Sequence, residues 1–314
     1  MTRQTEAIAA IDIGSDTIHL LVGVPSAAEV GVVERLVQRG ELIELGRQVA
    51  RKARVGRRRG RAVEALLLDY VRTARRHASR VVVGATEALR RATDGPALVE
   101  RLEAAAGVPV RVLSGRREAE LGLAGMAHRL DEAGSQLVID SGGASTELSL
   151  CEGRARVAAA SLPVGAALLA ASLQGDPPEA LSWALGAGRI GRALAIAPAG
   201  SPVRAFATGG SAHNLAGLED GREGPGRRTL TLDELRQLAE ALLSTPSAKL
   251  ARRSGEDPRR VALLPPGLLI VASVLDHYAL DRVTVVPEGL REGMIRAAAQ
   301  LGEDWWREGR PIAG

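Results

Sequence analysis

The stretch Leu137-Val-Ile-Asp-Ser-Gly-Gly-Ala-Ser-Thr-Glu-Leu-Ser-Leu150 sets apolar runs on both sides of a small, hydroxyl-bearing centre. Residues 136–140 and 145–151 read as strands, and the glycines between them as a tight turn. One acid flanks each side, Asp140 and Glu147, and a four-residue turn brings the second back alongside the first. Two readings follow. The segment is a plain hairpin with strand acids, or it is a nest of backbone N–H groups for an anion, with carboxylates for a cation or a water.

A second Asp-x-Gly turn stands near the start, Asp12-Ile-Gly-Ser15. It follows a strand at 7–13 and leads into strands at 17–24 and 29–37. A helix at 60–77 comes next, with Val63, Leu66, Leu67, Tyr70, Val71 and Ala74 at helical spacing, then a buried strand at 81–84, a helical stretch through 86–106 and a strand at 108–113. From 135 the pattern restarts: strands at 136–140, 145–151 and 154–161, helices at 165–173 and 179–195, and a strand at 203–207. Thr231-Leu-Asp-Glu234 reads as a capping box. A helix at 266–278, a strand at 282–286 and a helix at 288–300 close the chain. The order strand–strand–strand–helix–strand–helix–strand thus occurs twice, each copy opened by an Asp-x-Gly turn. This implies two related α/β domains facing one cleft. We place them at residues 1–122 and 123–314, and leave open whether the last helix packs back on the first domain.

Several residues carry candidate chemistry. Gly14 and Ser15 in the first turn, and Gly142, Gly143 and Ser145 in the second, offer amides and hydroxyls to a phosphate, while Asp12, like Asp140, ends a buried strand where it could hold a magnesium ion through its waters. Gly209 and Gly210 lie between a strand and a short helix, where helix amides are available to an anion, although a plain βα turn fits as well. Glu118 sits in the first turn of the helix that begins near Arg117. There it either serves the helix dipole or accepts a proton from a water attacking phosphate. Arg90, just after a buried strand, is a surface helix residue or a phosphate clamp. Asp140 and Glu147 are the candidate metal ligands.

Composition excludes several classes. Aromatics make up 2% of the chain, which argues against nucleic-acid binding by base stacking. The five histidines are scattered without zinc-ligand spacing, and there is no Walker A sequence. The longest apolar stretch, 261–275, is too short to cross a membrane and reads as a buried helix starting at Pro265–Pro266. The lone cysteine, Cys151, rules out an intramolecular disulfide. Together with a start that lacks a signal-peptide apolar region, it points to the cytoplasm. Lysine occurs only at 52 and 249, whereas arginine is frequent, densest in the run Gly46–Gly60. That run is either a solvated loop and helix start or a lure for a polyanion.

Taken together, AIDIGSDTIHLLVG (8–23), VVVGATEALRRATD (81–94), VRVLSGRREAELGLAGM (110–126), LVIDSGGASTELSL (137–150), SLPVGAALL (161–169), FATGGSAHNLA (206–216) and DRVTVVPEGLREGMI (281–295) resemble the exopolyphosphatase/guanosine-pentaphosphate phosphohydrolase family. The resemblance spans nearly the whole chain. It implies two ribonuclease-H-like domains of the sugar kinase–actin–Hsp70 superfamily with the active site in a cleft between them. It further implies removal of terminal phosphate from inorganic polyphosphate, with magnesium as cofactor and manganese as a substitute. The alternatives are a guanosine-pentaphosphate phosphohydrolase and a non-catalytic polyphosphate or alarmone sensor; a homodimer is compatible with each. Glu118 falls on the family's presumed general base, Asp140 and Glu147 on its metal- or water-binding acids, and Arg90 on an arginine that contacts substrate phosphate. The chain matches the short form, without the C-terminal HD-like domain. It departs from the family pattern at Asp16 (usually asparagine), Ser141 (usually aliphatic), Ala144 (usually a third glycine), Glu87 (usually small) and Arg91 (usually acidic).

Overall fold

The computed structural model describes residues 6–26, 29, 31–217, 228–255 and 257–312. The chain forms two compact units, one of Met1–Leu130 with Glu288–Gly314, the other of Asp131–Pro287. The division falls after Leu130 rather than after residue 122, because the helix that begins at Gly115 continues to Met126 and packs within the first unit.

In the first unit, strands β1 (Ile8–Ile13), β2 (Thr17–Pro25) and β3 (Val33–Leu42) form an antiparallel meander. Helices α1 (Leu45–Lys52) and α2 (Arg57–His77) lead to β4 (Arg80–Ala85), and α3 (Glu87–Arg91) and α4 (Gly95–Ala106) to β5 (Val110–Val112), with α5 (Gly115–Met126) next. The sheet order is β3-β2-β1-β4-β5, with β1, β4 and β5 parallel. Strand β1 shows why helices must cover both faces. Ala9, Ile11 and Ile13 face one core with Leu67, Tyr70 and Leu102, whereas Ile8 and Ala10 face another with Leu121, Met294 and Trp305.

Three expectations shift here. Strand β3 begins at Val33 and runs through the polar Gln38–Glu41, because an edge strand needs ladder hydrogen bonds more than apolar side chains. The stretch 86–106 is two helices, divided at Ala92–Asp94. The basic run contains a helix of its own, α1, which buries Leu45 and Val49 and leaves Arg51 and Lys52 exposed.

The second unit repeats the plan. Strands β6 (Ser135–Ser141), β7 (Thr146–Glu152) and β8 (Ala155–Leu162) form the meander, followed by α6 (Ala166–Ala170), α7 (Ala180–Ala193), β9 (Arg204–Thr208) and α8 (Gly209–Gly217). Strand β10 (Arg228–Thr231) and helices α9 (Leu232–Ser244), α10 (Ser247–Ser254), α11 (Pro258–Val261) and α12 (Leu264–His277) precede β11 (Arg282–Val285). The sheet order is β10-β11-β9-β6-β7-β8, with β6, β9 and β11 parallel. The capping box opens α9: Glu234 N–H donates to Thr231 Oγ1 at 3.2 Å, and Thr231 N–H to Glu234 Oε2 at 2.6 Å. Among the described residues, Pro258–His277 is the one helical segment apolar and long enough to cross a membrane. Its 67% burial marks it as a core element, with Ile270, Val274 and Leu275 set against Leu137, Ile139 and Val283. Cys151 is buried on β7, and burial pushes its thiol up to about 11.

Helix α13 (Leu290–Leu301) returns to the first unit and crosses α5. The crossing depends on two glycines. A Cβ at Gly125 would lie 1.9 Å from the Gly289 carbonyl oxygen, and one at Gly293 would lie 1.8 Å from that of Leu121. Beside this crossing Arg117, 1% exposed, fastens the C-terminal segment to α5. It donates to the Trp305 carbonyl at 3.1 Å, the Arg310 carbonyl at 3.1 Å and Glu120 at 2.9 Å. The sequence offered no sign of this role, since Arg117 stands among other arginines and the Trp305 and Arg310 carbonyls it holds lie far along the chain.

Candidate active site

The two Asp-x-Gly turns close in the same way. Gly14 N–H donates to the Thr17 carbonyl at 3.1 Å, and Gly142 N–H to the Ser145 carbonyl at 3.0 Å. Asp12 pairs across the ladder with His19, and Asp140 with Glu147. The internal repeat is therefore structural, with His19 standing in the first unit where Glu147 stands in the second.

In the first unit the candidate groups collect at the carboxyl ends of parallel strands, where open α/β sheets take their ligands. Asp12 lies near the end of β1, and Ser15, 5% exposed, lies in the turn beyond it. The turn is held from below: the Ser15 carbonyl accepts from Gly46 N–H at 2.7 Å, and the Asp16 carbonyl from Ile43 N–H at 2.7 Å. Strand β4 ends beside β1, with Ala85 opposite Ile13, and α3 then presents Arg90. Strand β5 ends beside β4, and Ser114 caps α5 by accepting Arg117 N–H at 3.1 Å. This places Glu118 in the first turn of α5, where its side chain is 11% exposed and 3.4 Å from Arg90 Nη1. Arg90 also donates to the Leu113 carbonyl and to Glu87. Sequence reasoning identified Arg90 and Glu118 separately but did not foresee Glu87 as a partner; the three-residue spacing of Glu87 and Arg90 on a helix was the available signal.

Asp16 brings a further acid to this turn. Burial, opposed by Arg47 and reinforced by Glu44, pushes its carboxyl up to about 7. The folded chain therefore holds this proton more tightly than the unfolded one, whose carboxyl titrates near 3.8. Stability is complete below the unfolded value and falls as pH rises through the folded one. Asp16→Asn is expected to track the wild type in urea denaturation near pH 4 and to exceed it at pH 8, by up to roughly 4 kcal/mol. A stability difference that does not vary with pH would contradict this.

In the second unit the acids meet on one face of the sheet. Asp140 on β6 and Glu147 on β7 are direct ladder partners, so their side chains share a face. Glu147 is 3% exposed and accepts from Ser161 Oγ at 2.8 Å. Strand β9 runs beside β6, with Thr208 opposite Asp140. Gly209 follows with φ +85°, and a Cβ there would lie 2.5 Å from Asp140 Oδ1. The glycine thus makes room for the carboxylate. Gly210, by contrast, faces open space. The carbonyls of Gly142 and Gly143 accept N–H groups of Ala166 and Ala167 at 2.9 and 2.8 Å, seating the turn on α6. Ala144 has no positive φ, so its Cβ is accommodated without strain.

Ser141 is fully buried, and among the described residues its hydroxyl has no hydrogen-bond partner. Because a buried unsatisfied hydroxyl costs stability, Ser141→Ala is expected to raise the unfolding free energy by about 1 kcal/mol in urea denaturation. A loss of stability would show that the hydroxyl is satisfied.

Two units built on one sheet plan, each opened by an acid-bearing glycine turn, define an α/β protein with two ribonuclease-H-like domains. The chain belongs to the Ppx/GppA phosphatase family, whose family model matches residues 27–300. It is similar to the Ppx/GppA enzyme of Aquifex aeolicus, with 25% identity, 92% of this chain and 98% of that one covered, and a TM-score of 0.75. An exopolyphosphatase from Cytophaga hutchinsonii shares the fold, with 20% identity, 94% and 98% coverage and a TM-score of 0.84. The family assignment makes the protein a phosphatase-type hydrolase.

Proposed function

We propose that the protein is an exopolyphosphatase, removing terminal phosphate from inorganic polyphosphate with a divalent cation. The observation that carries this reading is the pairing of a mostly buried carboxylate, Glu118, with Arg90 at 3.4 Å, at the ends of parallel strands. A carboxylate held this way can accept the proton of an attacking water while the guanidinium meets a phosphate oxygen. Ser15 supplies a hydroxyl donor near the same strand ends. Positioning and charge neutralisation would do most of the work, as phosphoryl transfer requires.

The second unit fits magnesium by its donor chemistry. Asp140 and Glu147 are hard oxygen donors, flanked by Thr208 and by Ser161. Among the described residues no three His, Cys, Asp or Glu side chains group as ligands, and magnesium commonly uses one or two carboxylates with water and substrate oxygens. Bound there, the cation would supply charge to phosphate oxygens. Asp140 would hold it, and Glu147, oriented by Ser161, would hold it directly or through a water.

Scarcity of aromatics, at 2%, favours polyphosphate over a guanine nucleotide. Phosphate release should be measured side by side from short polyphosphate, long polyphosphate, guanosine pentaphosphate and ATP, with magnesium or manganese. Polyphosphate is expected to give the highest kcat/KM. A dominant pentaphosphate activity would reassign the substrate, and tight polyphosphate binding without release would make the protein a sensor.

A further inference from the structure

Arg90 is engaged on both of its terminal nitrogens. Nη1 donates to the Leu113 carbonyl and reaches Glu118, and Nη2 donates to Glu87. Glu87 is the first residue of α3, three positions before Arg90, so the two share a helix face. Its side chain is only 16% exposed, and Arg91, one residue further on, approaches it at 3.8 Å. An acid whose sole role was to complement the dipole of α3 would stay in solvent. Glu87 instead turns inward onto the guanidinium that faces the candidate base.

A guanidinium has five N–H donors in a rigid fork and grips a phosphate best along one of its two-donor edges. The edge that joins Nη1 and Nη2 is already occupied by acceptors on both nitrogens. A phosphate oxygen can take that edge only by displacing Glu87. The displacement also brings a phosphate close to a carboxylate, and like charges at such range repel. We infer that Glu87 sets the anion affinity of Arg90 by competing with phosphate for its guanidinium. Glu87 is thus a positioning residue that weakens anion binding and speeds product departure. The inference rests on the proposed function only in that Arg90 meets a phosphate group.

Binding can be separated from turnover with imidodiphosphate, whose P–N–P bridge resists hydrolysis. Its dissociation constant should be measured by calorimetry, in magnesium, for the wild type, Glu87→Gln, Arg90→Met and the double variant. Glu87→Gln is expected to bind at least about threefold more tightly than the wild type, and to have no effect in the Arg90→Met background. With polyphosphate as substrate, KM is expected to fall by more than any change in kcat. Unchanged or weaker binding by Glu87→Gln, tightening that survives the loss of Arg90, or no binding by any of the four proteins would overturn the inference. A lower melting temperature with unchanged binding would reduce Glu87 to a helix residue, and would overturn it too. If the affinity shift appears but no form releases phosphate from any substrate, the hydrolase reading fails and the role of Glu87 stands.

Discussion

Glu118→Gln is expected to lower phosphate release by about a thousandfold or more while the protein stays folded. Glutamine keeps the shape of the side chain and its approach to Arg90, but it cannot accept a proton. The first turn of α5 is held by the Ser114 cap, by Glu118 N–H donating to the Ser114 carbonyl at 2.9 Å, and by Arg117 beneath it. None of these contacts needs the Glu118 carboxylate, so the melting temperature should barely move. Steady-state phosphate release together with circular dichroism on the same sample checks both halves. Turnover near that of the wild type would remove Glu118 from the role of base.

Gly293→Ala is expected to destabilise the first unit by about 3 kcal/mol or more, because the added methyl group meets backbone and not a flexible side chain. The Leu121 carbonyl oxygen lies 1.8 Å from where that Cβ would stand. Helices α5 and α13 would have to separate, and Met294, Ile295 and Ala297 would withdraw from Leu121 and Ala10. The denaturation midpoint reports this directly. An unchanged midpoint would mean that the two helices do not cross at these glycines. Since α5 also carries Glu118, the variant is expected to lose activity in step with its folded fraction.

Much of the fold was legible because it is written locally. The Asp-x-Gly turns, the capping box at Thr231 and the proline-led apolar helix each lie within a few residues of chain, and each formed where expected. The repeat of strand and helix order pointed correctly to two similar sheets. What escaped depends on partners remote in sequence or on exposed positions. Strand β3 is an edge strand whose polar residues carry no apolar alternation. Helix α1 hid in a basic run because Leu45 and Val49 are the only large apolar residues that mark its buried face. The return of α13 to the first unit, left open from the sequence, rests on its packing against α5.

The candidate site divides in the same way. Asp140 and Glu147 were paired correctly, since a short turn dictates the register of a hairpin. Arg90 and Glu118 were named as separate candidates, but their contact joins two helices that follow neighbouring parallel strands and has no sequence signature. The hold of Glu87 on Arg90 and of Arg117 on the C-terminal segment became visible only with side chains in place.

The central claim is hydrolysis from the end of a polyphosphate chain with a divalent cation. The measurement that tests it most directly follows long polyphosphate through the reaction by chain-length-resolved gel electrophoresis, with released phosphate assayed in parallel and with magnesium present or chelated. The account predicts that orthophosphate is the small product, that chains shorten from their ends, and that chelation stops both. Scission into mid-length fragments, or no release of phosphate with magnesium present, would contradict it.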